Sequence, residues 1–181
     1  MADLAADVAV VVAAASTGGP VTLVGHSYGG AVITEAAPLI ANLKRLIYIA
    51  ALVPEIGQSA TDTARLVRVR TELDSAIEVD GPLLRLNREP AALALYQDST
   101  PEIREWASSQ LSTQTLASFR SVRSAAPVGA ASRFVLCRHD RAIDPSLQEL
   151  LAGRCDEVLE INSDHSPFLS HPVELCGALL A

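Results

Sequence analysis

Basic and aromatic side chains are scarce in this sequence. Lys44 is its only lysine, and Phe, Tyr and Trp together supply 4% of the 181 residues. Lysine and arginine number 14 against 21 acidic residues, a net charge of −7. A chain with that balance repels phosphate unless it carries a basic stripe. The densest basic cluster, Arg65, Arg68 and Arg70, is followed at once by Glu72 and Asp74 and reads as a solvated helix face. Nucleic acid is therefore not an expected partner. Cysteine is sparse too. Cys137, Cys155 and Cys176 are odd in number and show no CxxC spacing. That argues against a disulfide framework and a Cys-rich zinc site, and for free thiols in a reducing cytoplasm. No apolar run of membrane length is present. Residues 8–34 hold no charged side chain, but Gly18, Gly19, Pro20, Gly25, Gly29 and Gly30 cut that stretch into short pieces. The first Lys or Arg is Lys44, so the basic start of a secretory signal is absent as well. The reading is a cytoplasmic protein with no membrane partner.

What is present is an apolar chain, 49% hydrophobic and 19% charged, of a length suited to one domain. Helix and strand patterns alternate, which predicts an α/β fold of three layers, α/β/α, around a mainly parallel sheet. Residues 3–15 read as a helix, 21–24 as a short buried strand, 28–40 as a helix and 43–52 as a second strand closed by Pro54. Residues 133–137 and 157–161 read as two further strands. Asp144 caps a helix over 145–152, and Pro172 opens a last helix over 172–180. Residues 54–127 differ in character, with helical patches, scattered charge and no convincing strand. They are expected to form a mostly helical insertion into a core made of residues 1–53 and 128–181.

Chemistry concentrates at Gly25-His26-Ser27-Tyr28-Gly29-Gly30, a G-x-S-x-G pattern between a strand and a helix. The chain must reverse within a few residues there, so Ser27 is expected to sit in a strained conformation at the carboxyl edge of the sheet. Gly25 and Gly29 are expected to let strand and helix approach. The Tyr28 amide would lie at a helix N-terminus, where unpaired N–H groups favour a negative oxygen. A serine hydroxyl needs a base at neutral pH. Of the four histidines, His26 lies within the turn and should point away from Ser27. His139 abuts a strand end, and His171 leads into a helix. His165, in the loop after the fourth strand, is the candidate base. A base of this kind needs a carboxylate to fix its tautomer. Asp140, three residues past the third strand, is the candidate. Asp144 is explained by its capping role, and Asp164 is adjacent to the histidine it would have to face. The order Ser27, Asp140, His165 suits this strand–turn–helix context.

The segments Gly25–Gly30, Arg138–Ile143 and Asp164–Phe168 resemble the α/β-hydrolase superfamily, and within it bacterial esterases related to plant methylesterases and hydroxynitrile lyases. The resemblance runs from Asp3 to the end of the chain. It implies that residues 54–127 are the cap over an active site, and that the chain hydrolyses a small carboxylic ester without metal or organic cofactor. Ser27 would be the nucleophile, His165 the base, Asp140 its carboxylate and the Tyr28 N–H one oxyanion donor.

That family opens with several strands and a His-Gly loop that find no match here. The expectation is a hydrolase fold truncated at its N-terminus. One oxyanion donor normally comes from the unmatched loop, and losing such a donor costs about 2.7–4 kcal/mol, or about 100- to 1,000-fold in rate. The strand at 21–24 would present an apolar edge on which a second copy of the chain could pair. A binding module with impaired turnover is thus a second reading. A hydroxynitrile-lyase-like enzyme is a third, but it would need a lysine from the cap, and Lys44 is on the wrong segment. Ten apolar residues of 54–127, among them Leu95, Tyr96, Trp106 and Phe119, are expected mainly to pack the cap onto the sheet. Some should line a pocket suited to a neutral ester.

Overall fold

The computed structural model describes residues 2–16 and 18–180. Four strands form one parallel sheet: β1 (Val21–His26), β2 (Leu43–Ile49), β6 (Ala131–Cys137) and β7 (Glu157–Ile161), side by side in that order. Alternation along each strand builds the layers, because successive side chains leave a strand on opposite faces. Leu46 and Tyr48 of β2, with Phe134 and Leu136 of β6, pack with helices α1 (Leu4–Ala15), α2 (Gly29–Ala36) and α7 (Pro145–Ala152). Ile47, Ile49, Val135 and Cys137 pack with Leu175 and Ala178 of α9 (Pro172–Leu180), which follows the short α8 (Pro167–Ser170). This is the expected three-layer arrangement, with helices on both faces of a parallel sheet.

Local chemistry accounts for the element ends. Asp3 accepts the Ala6 amide at 2.9 Å and so caps α1. Pro38 has no N–H to continue α2, which gives way to a tight turn at Ala37–Leu39. Asp144 accepts from Ser146 N at 2.9 Å and starts α7 with Pro145 in its first position. β1 runs on through His26, two residues further than the sequence pattern suggests, so the strand leads directly into the turn at Ser27. All three cysteines are free thiols. Burial pushes the Cys137 thiol up to about 12, which leaves it protonated and inert at neutral pH. Among the described residues no helix is long and apolar enough to cross a membrane.

Segment 54–127 contains α3 (Ala60–Ala64), α4 (Arg88–Tyr96), α5 (Pro101–Ser109) and α6 (Leu116–Arg120), and also a small antiparallel sheet that the sequence reading does not anticipate. Its strands are β3 (Ile77–Asp80), β4 (Leu83–Leu86) and β5 (Gln114–Thr115). Gly81, at φ +57, turns β3 into β4. β3 is exposed along its whole length, so no core-facing periodicity marks it. The Arg65, Arg68 and Arg70 cluster is exposed as expected, but it follows α3 as irregular chain rather than forming a helix face. Leu95 and Ala91 of α4 pack on Ala142, which joins this segment to the loop after β6. Trp106 and Leu93 remain largely exposed.

Close approach of backbones fixes the β1–α2 turn. A Cβ at Gly25 would lie 2.7 Å from the Gly29 oxygen, and one at Gly30 would lie 2.5 Å from the Leu52 oxygen. A Cβ at Gly29 would meet nothing within 4 Å. The glycines that permit the packing are therefore Gly25 and Gly30, not the expected pair Gly25 and Gly29. Gly30→Ala is expected to lower stability by about 1–3 kcal/mol, the cost of overpacking. Gly29→Ala should leave it unchanged or slightly raised. Urea unfolding of the two variants beside the parent chain checks this ranking.

Candidate active site

The three candidate side chains all follow strands at their carboxyl ends: Ser27 after β1, Asp140 after β6 and His165 after β7. In open parallel sheets this rim is where ligands bind.

Ser27 has φ +54, in the left-handed region that non-glycine residues rarely occupy. The conformation is held from three sides. Its N–H donates to Ile49 O at 3.2 Å, and its own carbonyl accepts from Gly30 N at 3.1 Å and Leu52 N at 3.0 Å. Ala50, at the end of neighbouring β2, is also left-handed at φ +42, and its N–H donates to Val135 O at 3.0 Å. Two adjacent strand ends are thus bent together, tying the serine turn to the centre of the sheet. Tyr28 stands at the N-terminus of α2, where a helix leaves its first amides without intrahelical partners. Its ring lies 4.7 Å from that of Phe119, and its hydroxyl donates to Asp7 at 2.8 Å. Asp7 also accepts from Ser118 at 2.9 Å, so α1, the serine turn and α6 share one carboxylate. Burial, helped by the bond to Asp7, pushes the Tyr28 phenol above its ordinary range.

Asp140 and His165 are in direct contact. His165 Nδ1 donates to Asp140 Oδ2 at 2.7 Å, and the two side chains are 2% and 0% exposed. With Nδ1 carrying the proton, the lone pair of the neutral ring is on Nε2. Asp140 is saturated by donors. Oδ1 accepts from Ala142 N at 2.7 Å and Ile143 N at 2.9 Å, and Oδ2 accepts a second bond from Gln148 Nε2 at 2.8 Å. Gln148 is fully buried and also accepts from Cys137 N at 3.0 Å. It therefore fixes the carboxylate to the end of β6. Nothing in the sequence reading marked Gln148. The available signal was its place beside Leu147 and Leu151 on the buried face of α7.

The remaining candidates fall into supporting places. Asp144 caps α7 and does not reach His165, as expected. Asp164 also leaves His165 alone. It is fully buried, accepting from Ser166 N at 3.1 Å, Ser170 Oγ at 2.8 Å and Asp98 N at 3.0 Å, so it ties the histidine loop to segment 54–127. His139 is exposed and His171 leads into α9. His26 turns toward the histidine loop, with its ring 4.5 Å from that of His165. Among the described residues the Ser27 hydroxyl makes no hydrogen bond to His165. Lys44 is exposed near the amino end of β2, away from the carboxyl rim. No cluster of three metal-ligating side chains occurs among the described residues.

A sequence profile of the alpha/beta hydrolase family matches residues 1–178. The chain belongs to the alpha/beta hydrolase family. Among curated proteins, an alpha/beta hydrolase of Aspergillus novofumigatus, nvfD, is 27% identical over 169 residues, covering 86% of this chain and 67% of its own. Among solved structures, the methylesterase MES16 from Arabidopsis superposes with a TM-score of 0.79 at 22% identity, covering 98% of this chain and 76% of its own. A pyrethroid hydrolase from Sphingobium faniae JZ-2 gives a TM-score of 0.80 at 19% identity, with 99% and 77% covered. At these identities the solved structures establish the fold that this family member shares with them.

Burial is the main cause, and the neighbouring His165 ring the second, that brings the His26 imidazole down to about 3. The folded state then refuses a proton that the unfolded chain takes up near pH 6.5. Stability therefore rises with pH between about 3 and 6.5 and is lost on acidification through that window. Lowering the pH from 7 to 5 should cost the parent chain about 2 kcal/mol more than His26→Phe. Denaturant unfolding at the two pH values measures it. Equal losses would show that His26 does not titrate in this way.

Proposed function

We propose that the chain is a serine hydrolase of small carboxylic esters, with Ser27 as nucleophile, His165 as general base and acid, and Asp140 as the carboxylate that orients His165. The observation that carries this reading is the buried 2.7 Å hydrogen bond from His165 Nδ1 to Asp140, on the same sheet rim as a serine held at φ +54. That bond leaves Nε2 as the basic nitrogen, the one a triad requires. In the reaction, Ser27 Oγ attacks the ester carbonyl as its proton passes to His165 Nε2. The carbonyl oxygen becomes an oxyanion facing the Tyr28 N–H at the start of α2. Collapse breaks the carbon–alkoxide bond, and the imidazolium returns its proton to the departing alcohol. Water, deprotonated by the same imidazole, then cleaves the acyl-serine to release acid and free serine. The Ser27–His165 hydrogen bond is expected to form with substrate bound, since such contacts tighten on forming the complex. Every step uses side chains and amides of this chain, with no metal or organic cofactor.

Segment 54–127 serves in this reading as the cap. Phe119 on Tyr28, Ala142 against Leu95, and the Asp98 amide on Asp164 are three contacts that bring it to the reacting groups. The lyase reading lacks support, because Lys44 lies at the opposite end of the strands. Turnover of nitrophenyl acetate and butyrate, compared with Ser27→Ala, tests the proposal. Ser27→Ala is expected to fall to the uncatalysed rate, and a fluorophosphonate should label Ser27 in the parent chain. Asp140→Asn should lower kcat by about 10⁴-fold. Asp144→Asn should leave kcat unchanged. Equal rates in the parent and Ser27→Ala would leave a binding module without turnover.

The partner proposed beyond the substrate is a second copy of the chain. β1 is the outer strand of the parallel sheet, and Val24 on it is 48% exposed. Among the described residues no other strand pairs with its outer edge, which is a template for strand addition. Light scattering across a concentration series is expected to show a dimer mass that dissociates on dilution. A constant monomer mass would remove this part of the proposal.

A further inference from the structure

His26 is a half-buried imidazole for which the chemistry above has no role. It ends β1, paired with Ile49 of β2, and immediately precedes Ser27. Its Nε2 lies 2.7 Å from the carbonyl oxygen of His165, so Nε2 carries a proton and donates it. The His165 ring is 4.5 Å away, and Phe168 meets His26 edge-on at 5.0 Å. The histidine loop has several other anchors. Asp140 holds the His165 ring, Ser163 O accepts from His139 N at 3.0 Å, and Asp164 accepts from Asp98 N at 3.0 Å. Each of those ties the loop to the β6 end or to segment 54–127. Among the described residues, the His26 bond is the only side-chain hydrogen bond between the Gly25–Gly30 turn and this loop.

We propose that His26 is a positioning residue, whose Nε2–H grips the His165 main chain and so sets the base imidazole at its working distance from the adjacent Ser27. The proposal rests on the serine-hydrolase reading and assigns a second histidine to the same site. A base and a nucleophile carried on strands so far apart in sequence, with His26 and His165 separated by 139 residues, have no covalent reason to keep register. A misplacement of about 1 Å costs about 100-fold in rate. A hydrogen bond from the residue next to the nucleophile to the residue that bears the base is the shortest tether available. The neutrality of His26 serves the same end. A charged ring there would face the imidazolium that His165 becomes during turnover, and burial in apolar contact keeps the charge away.

Three variants separate the tether from simple packing. His26→Gln carries an amide N–H at about the reach of imidazole Nε2. His26→Asn carries the same donor one methylene short, and His26→Phe keeps a ring without a donor. Expected for Phe and Asn is a loss of about 10- to 100-fold in kcat for nitrophenyl butyrate with KM unchanged, and for Gln a return to within about threefold of the parent. The far-downfield proton resonance of the His165–Asp140 hydrogen bond gives a readout that needs no turnover. It should stay sharp in the parent and Gln variant, and broaden or vanish in Asn and Phe. Full activity in His26→Phe, or equal activity in Gln and Asn, would overturn the proposal. So would a rise in KM at unchanged kcat. Should the Phe variant not fold, the Gln and Asn pair decides. Should the parent chain be no faster than Ser27→Ala, the hydrolase reading fails, and the proton resonance still decides whether His26 holds His165.

Discussion

A carboxylate can sit in a dry interior beside an imidazole only when its own oxygens are answered by donors. The His165–Asp140 bond, at 2.7 Å between nearly inaccessible side chains, meets that condition through donors that converge on both oxygens of Asp140. Removing one partner of such a pair leaves an uncompensated buried group, which costs far more than a surface pair yields. The loop after β6 is therefore shaped around the carboxylate. Two successive amides, at Ala142 and Ile143, bend in to meet it, and Gln148 reaches back from α7 to close the last position. The site and the fold are stabilised by the same contacts here.

A second constraint is steric. Gly25 and Gly30 let β1, α2 and the chain after β2 come within van der Waals range, and Ser27 takes a left-handed conformation that few residues accept. Such strain persists where surrounding bonds over-determine it. The three backbone hydrogen bonds of Ser27 do so, and Ala50 shows the same conformation one strand away. Half-buried Ser27 is thereby placed on the rim with its backbone held by three hydrogen bonds. Neutral His26 on one side and the Asp7-anchored Tyr28 on the other leave the turn little room to rotate.

Legibility of these features followed their range. The turn around Ser27 could be read because strand, glycines and helix follow one another directly in the chain. Helix α7 could be read because Asp144 and Pro145 are local start signals, and strand β6 because its continuous apolar run, Phe134 to Cys137, marks a strand covered on both faces. The pairing of Asp140 with His165 was legible as an order of residue types along the chain. The small sheet of β3, β4 and β5 was not, since its strands are short and β3 buries no side chain. Gln148 looked like an ordinary polar residue of a helix, and Asp164, weighed only as a partner for His165, gave no sign of its bond to the distant Asp98 amide. The helical reading for Arg65, Arg68 and Arg70 failed because α3 is only a short capped turn of chain.

The amino-acid order alone settled the alternation of helices and strands, the reversal at Ser27, and which residue types stand after which strand. Local sterics and hydrogen bonding act over a few residues, and those are written consecutively. Only the folded chain decided that His26 faces the His165 carbonyl, that Gly30 rather than Gly29 carries the close packing, and that Gln148 completes the shell of Asp140. The first two depend on the register between strands that are distant in sequence, and the third on how α7 packs back against the end of β6. That register is set by the packing of alternate side chains on the two faces of the sheet, a property of the whole core rather than of any one segment.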